Sequence, residues 1–154
     1  MLAVDFWKTV VRDKVDLLGR VLSLFSEHGI QYCVIGGQAI NAYAEPVVSL
    51  DLDIAVAAGE IEKLEEFLKR EFRVERFEHR LNVSVYGSDL RVQIQTDPRY
   101  AEFPRRSEER SVLGLLLPVA SLTDLLQGKI WSVLDTSRPP SKRQKDLADI
   151  SRLL

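Results

Sequence analysis

Residues 31–35, QYCVI, form a short aromatic and β-branched run that leads straight into Gly36 and Gly37. That junction is the tightest constraint on the fold. The run reads as a strand, and a double glycine lets the backbone turn sharply and approach a ligand closely. Residues 38–44 then read as a short helix, which Glu45-Pro46 ends because a residue before proline avoids helical geometry. Residues 50–57, LDLDIAVA, read as a second strand. A strand, a bend, a short helix and a returning strand belong in a sheet layered with helices.

The flanking pattern agrees. In residues 6–28, Val10, Val11, Val15, Leu17, Leu18, Val21, Leu22 and Phe25 recur at threes and fours, so a helix is predicted, closed by Gly29. Residues 60–72 read as an amphipathic helix with Ile61, Leu64, Phe67 and Leu68 on one face. Three strand candidates follow, at 73–78, 81–86 and 90–96. Residues 97–110 read as a polar loop made locally positive by Arg99, Arg105, Arg106 and Arg110, and residues 112–119 as one more strand. Ser121, with Asp124 three positions on, opens a helix to about residue 134. After a Pro-containing linker, residues 141–154 form a final helix with Leu147, Ile150, Leu153 and Leu154 as its apolar side. The expected fold class is α/β (α+β), a mixed β-sheet covered by helices. The 154 residues suit a single domain: an N-terminal helix over 1–29, a sheet core over 30–120 and a helical pair over 121–154.

Composition narrows the function classes. A net charge of −2 offers no global attraction to nucleic acid or membrane. A lone cysteine, Cys33, cannot form an internal disulfide and reads as a buried core residue. No leader pattern and no long apolar span are visible, which fits a cytoplasmic protein. His28 and His79 lie far apart, with no zinc-like spacing.

The chemistry lies in residues 34–56. Asp51 and Asp53 are two apart on a strand, so both point to one face. Two close carboxylates repel and raise each other's pKa. Either a divalent cation relieves this, since hard oxygen ligands suit Mg²⁺ or Mn²⁺, or the pair sits at a solvated strand end facing water and arginines. The bend at Gly36 and Gly37 adds a candidate site for phosphate oxygens at the helix start.

Diglycine, short helix and D-x-D on the next strand resemble the nucleotidyltransferase superfamily with the DNA polymerase beta-like fold. The similarity is greatest to its minimal, abortive-infection (AbiEii-type) branch. There, a helix carrying a lysine precedes a helix with an R-x-K-D-x-x-D-like pattern. Lys129 matches the first, and Arg143, Lys145, Asp146 and Asp149 match the second. The resemblance implies an NTP substrate, with Gly36, Gly37 and Ser49 against its phosphates, Asp51 and Asp53 on Mg²⁺ (or Mn²⁺), and Lys129 and Lys145 neutralising phosphate charge. A nucleoside monophosphate would pass to a hydroxyl of RNA, protein or a small molecule. The family includes toxin components, so an antitoxin partner is part of what the resemblance implies.

The chain departs from the pattern twice. An arginine common before the hydroxyl residue is replaced by Pro46-Val47-Val48. The third carboxylate, expected on the strand at 90–96, aligns with Gln93, an amide that cannot act as a general base. Either Asp89 or Asp97 supplies the missing acid, or two carboxylates suffice, or the chain is a catalytically impaired nucleotide- or partner-binding module. A dimer-building interaction subunit is a third reading.

Overall fold

The structure is a computed structural model that describes residues 15–44, 50–57, 59–112 and 114–154. Helix α1, Leu17–Glu27, is opened by Asp16, whose carboxylate accepts from the Gly19 N–H at 3.2 Å. It buries Leu17, Leu18, Val21, Leu24 and Phe25. Its end is the predicted glycine cap: Gly29 has φ +62°, and Ile30 N–H donates to Phe25 O at 2.9 Å. The predicted start of this helix, residues 6–14, and the helix stop at Glu45-Pro46 lie outside the described residues.

Strand β1, Tyr32–Ile35, runs directly into α2, Gly36–Asn41. The helix therefore includes both glycines and starts two residues earlier than predicted. Then follow β2 (Asp51–Val56), α3 (Ile61–Lys69), β3 (Arg73–Arg76), β4 (Arg80–Ser84) and β5 (Arg91–Gln95). After two 3₁₀ turns come β6 (Glu108–Val112), β7 (Leu115–Val119), α4 (Leu122–Leu134) and α5 (Pro140–Leu153). Among the described residues the strands form one mixed sheet in the order β3-β4-β5-β2-β1-β7-β6. The central β2 is antiparallel to β1 and parallel to β5.

Alternation sorts the sheet into two faces. Leu52, Ile54, Val92, Ile94, Leu81 and Val83 are fully buried, in one cluster with Val21 and Phe25 of α1 and Leu64 and Leu68 of α3. The opposite face carries Asp51 and Asp53 of β2, Gln93 and Gln95 of β5, and Arg80 and Asn82 of β4. Helix α4 stands over part of this polar face, where its Lys129 and Ser132 share a pocket with Asp53 and Gln93.

Three expectations need correction. The polar loop at 97–110 is built rather than open: it holds 3₁₀ turns at Pro98–Tyr100 and Pro104–Arg106 and ends inside β6. Asp97 caps the first turn, and Tyr100 and Phe103 anchor the segment in the core. The apolar run at 112–119 is a hairpin, not one strand; Val112 pairs with Leu115 across a turn at Gly114. In α5 the most deeply buried residues are ionic, although Leu153 packs against the core as predicted. Leu147 is 54% and Leu154 90% exposed, while Asp146 is 0% and Asp149 4%. Half-buried cations, Lys129 of α4, Arg138 before α5 and Arg152 on it, hold these aspartates inside.

Candidate active site

The site is built outward from β2. Its register sets Ile35 of β1, Asp53 and Gln93 of β5 abreast, with Asn82 of β4 next. The sheet thus carries a row that begins beside the diglycine, crosses the central carboxylate and continues over β5 and β4. Gly36 has φ +68°, left-handed backbone that favours glycine. A Cβ built on it would overlap the Asp53 carboxylate, reaching its Cγ at 2.9 Å. The first glycine of the pair therefore makes room for an aspartate.

The two carboxylates have different surroundings. Asp51 forms an ion pair with Arg91 Nε at 2.9 Å. Asp53 has no ion pair among the described residues. Burial, then repulsion from Asp51, pushes its carboxyl up from the ordinary 3.8 to about 6, against the pull of Lys129, Lys145 and Arg80. The closed arginine network that would have argued against a cation site holds only one of the two acids.

A pocket of about 190 Å³ opens in front of Asp53, lined on the sheet side by Gly36, Gln93, Gln95 and Arg80 and on the α4 side by Asp124, Gly128, Lys129 and Ser132. Tyr100 and Phe103 form its aromatic wall. The structure thus brings together Gly36, Asp53, Gln93 and Lys129. Asp51, Gly37 and Lys145 do not line the pocket, and Ser49 lies outside the described residues. Lys145 is 69% exposed and acts on Asp53 only at a distance.

Lys129 is held rather than loose. Its Nζ lies 3.3 Å from Asp146 Oδ1 and 2.9 Å from Asp149 Oδ2. Arg138 clamps Asp146 through two N–H groups at 2.6 and 3.1 Å, and Arg152 reaches Asp149 at 3.3 Å and Asn41 of α2 at 3.2 Å. The C-terminal aspartates fix the lysine that faces the central carboxylate. Arg143 donates to Val133 O at 3.0 Å, tying α5 to α4.

The four loop arginines are each matched by an acid, Arg99 with Asp97, Arg105 with Glu102, Arg106 with Asp124 and Arg110 with Glu108, so the segment is no open anion patch. Of the stand-ins for a third carboxylate, Asp97 is committed to Arg99 at 2.9 Å. Neither Asp97 nor Asp89 lines the pocket. The sequence reading missed Arg80, Gln95, Tyr100, Phe103 and Arg138. An arginine one residue before a strand core has no distinguishing local signal. Alternation of Arg91, Gln93 and Gln95 was the available clue to the polar face. Cys33 is buried, and burial followed by the charge of Asp124 pushes its thiol up to about 12.

Gly36→Ala is expected to cost about 2–4 kcal/mol, from left-handed strain and displaced Asp53. Chemical denaturation checks this, and Gly37→Ala is the comparison variant.

The arrangement is that of a nucleotidyltransferase fold. No family model matches the chain, and no curated protein matches it. Solved structures do. The antibiotic-resistance factor ANT(2'')-Ia is 19% identical, covers 90% of this chain and 82% of its own, and superposes with a TM-score of 0.62. The lincomycin-bound lincosamide antibiotic adenylyltransferase LnuA is 14% identical over 89% and 96%, with a TM-score of 0.57. An antigenic nucleotidyltransferase-like protein from Paracoccidioides brasiliensis is 16% identical over 97% and 75%, at 0.56. At these identities the likeness establishes the fold. No described helix is long and apolar enough to cross a membrane.

Proposed function

We propose that this chain is a nucleotidyltransferase that moves a nucleoside monophosphate from an NTP to an acceptor hydroxyl and releases pyrophosphate. One observation carries the reading: the Asp53 carboxylate is seated on Gly36, with no ion pair among the described residues, and lines a pocket shared with Lys129. The donor set fits a divalent cation. No cluster of three protein ligands exists among the described residues, but Mg²⁺ is commonly held by one or two carboxylates plus substrate phosphates. Asp51 and Asp53 would hold it, with Asp51 turning from Arg91. When bound, such an ion supplies charge neutralisation for the phosphates and acidifies the attacking hydroxyl.

The chain's own groups do the rest. Lys129, fixed by Asp146 and Asp149, offers a pre-oriented positive charge on the phosphate side. The Gln93 amide, abreast of Asp53, can hold the acceptor hydroxyl by a hydrogen bond but cannot take its proton. The acceptor oxygen bonds to the α-phosphorus as the bond to the pyrophosphate oxygen breaks, and the hydroxyl proton passes to solvent water.

The AbiEii-type branch, and with it a toxin role with an antitoxin partner in the cytoplasm, rests on the match of Lys129 and the helix that holds it. A second reading, a nucleotide-binding module without turnover, is favoured by Gln93 itself. Incubation of the purified chain with labelled NTPs and Mg²⁺ or Mn²⁺ separates them. Pyrophosphate release, abolished in Asp51→Asn and Asp53→Asn, is the expected result. Saturable binding with no release would establish the module instead.

A further inference from the structure

The row of polar side chains does not stop at the reacting centre. Beyond Gln93 it continues to Gln95 and Arg80, which are register partners. Arg80 lines both the pocket in front of Asp53 and an adjoining groove of about 410 Å³ bounded by Phe77, Tyr100 and Trp131. The other cations along this path are already matched: Lys129 and Arg138 with the α5 aspartates, Arg99 with Asp97. Arg80 is not. Among the described residues no carboxylate pairs with it, and its buried Nε has no hydrogen-bond partner; nor does the buried Asn82 Oδ1 two residues on.

What holds Arg80 is an aromatic ring. Its Cζ lies 4.6 Å from the centroid of Phe77, a side chain 43% exposed. Stacking occupies the guanidinium face and leaves its in-plane N–H groups available, the geometry that recognises phosphate or carboxylate oxygens. A guanidinium with no ion pair among the described residues, lining a pocket beside Gln93 and Gln95, is placed to take an anion.

Its place in the sheet says which anion. The row runs from Gly36 to Asp53, then to Gln93, then to β4. The diglycine lies on the β1 side of the central carboxylate, and Arg80 lies on the β4 side. Two strand spacings across and two residues along put the Arg80 Cα roughly 12 Å from that of Asp53. If the triphosphate takes the glycine side, Arg80 faces the acceptor. We propose that Arg80, flanked by Gln93 and Gln95, anchors the acceptor, and that the acceptor is a small hydroxyl compound bearing a phosphate or a carboxylate. The 190 Å³ pocket is below the roughly 300–1,000 Å³ of drug-sized sites, in keeping with a compact acceptor. Arg80 takes no part in the bond exchange. The assignment of this anion as the acceptor rests on the transferase reading; its binding does not.

The test titrates glycerol phosphate, glycerate and glycerol into the full chain by calorimetry, without nucleotide or metal, for the wild type and Arg80→Gln. A parallel titration uses ATP with Mg²⁺, and a thermal melt confirms that the variant is folded. Glycerol phosphate or glycerate should bind the wild type, glycerol should not, and Arg80→Gln should weaken the anion about 10- to 100-fold, the worth of a charge-assisted contact. ATP affinity should change less than about twofold, well inside that effect. The tighter of the two anions identifies the acceptor's charged group. Equal binding of glycerol and both anions overturns the site, and so does failure of both anions to bind while ATP turnover persists. Equal loss of ATP and anion affinity in Arg80→Gln would reassign Arg80 to the triphosphate and overturn the acceptor role. Arginine-dependent anion binding in a chain that neither binds nor turns over ATP would remove the transferase reading and leave the anion site standing.

Discussion

Asp53→Asn should make the folded chain more stable at pH 7.5 while abolishing its activity. The rise of the carboxyl from 3.8 to about 6 corresponds to about 3 kcal/mol of folding free energy lost when the group ionises. The native state holds the proton more tightly than the unfolded chain. Stability from this group therefore falls as pH rises from about 3.8 to about 6, and the penalty is complete above that window. An amide at this position carries no charge to desolvate and none to oppose Asp51. The expected gain is about 1–3 kcal/mol at pH 7.5, several degrees in Tm for a chain of this size, and nothing at pH 3.5. Asp51→Asn should show a smaller gain, because it relieves only the repulsion on Asp53 and gives up the Arg91 ion pair. Thermal melts of the three proteins at both pH values decide it. A gain that is the same at pH 3.5 and 7.5 would mean that the carboxylate is under no electrostatic stress. Mg²⁺ with ATP should raise the Tm of the wild type above pH 6 and leave Asp53→Asn unmoved.

That tension explains how much of the site could be read before the fold. Asp51 and Asp53 were legible because strand alternation is a local rule. The diglycine was legible as a bend, but not as the space into which Asp53 fits, since that contact depends on β1 pairing with β2. Gln93 is given by the resemblance to the family's third-carboxylate position, and it stands abreast of Asp53. Arg80 was not legible, because its neighbours Gln93 and Gln95 reach it through strand pairing rather than through sequence proximity. The amphipathic reading of α5 held for Leu153 and failed for Leu147 and Leu154, for a related reason. Helical periodicity ranks leucine above aspartate for burial, and only the packing of α5 against α4 shows that Lys129 and Arg138 reverse the ranking. Ser121, Gly29 and Asp53 depended on neighbours within a few residues or on alternation. The two 3₁₀ turns and the β6–β7 hairpin depend on tertiary contacts that local sequence signals do not carry.

The same buried ionic cluster supplies the largest stability effect. Asp146 is 0% exposed and meets Lys129 at 3.3 Å and Arg138 at 2.6 Å. Replacing it by alanine leaves Arg138 without its carboxylate and Lys129 with Asp149 alone, at 2.9 Å but off hydrogen-bonding geometry at Oδ2. Removing one partner of a buried pair strands the other charge, which costs about 3–5 kcal/mol. Asp146→Ala should therefore lower Tm by roughly 6–20 °C. Lys145→Ala is the control: its 3.8 Å pair with Asp149 is 69% exposed on the lysine side, and exposed pairs contribute about 0–1 kcal/mol. The cluster also decides how the site works. On the proposed reading, Asp146 and Asp149 hold Lys129 so that its charge can meet a polyphosphate rather than collapse onto Asp53. Asp146→Asn, which keeps the shape and removes the charge, should weaken ATP binding even at temperatures where the variant remains folded. Unchanged ATP affinity in a folded Asp146→Asn would show that α5 supports the fold alone and that Lys129 needs no such bracing.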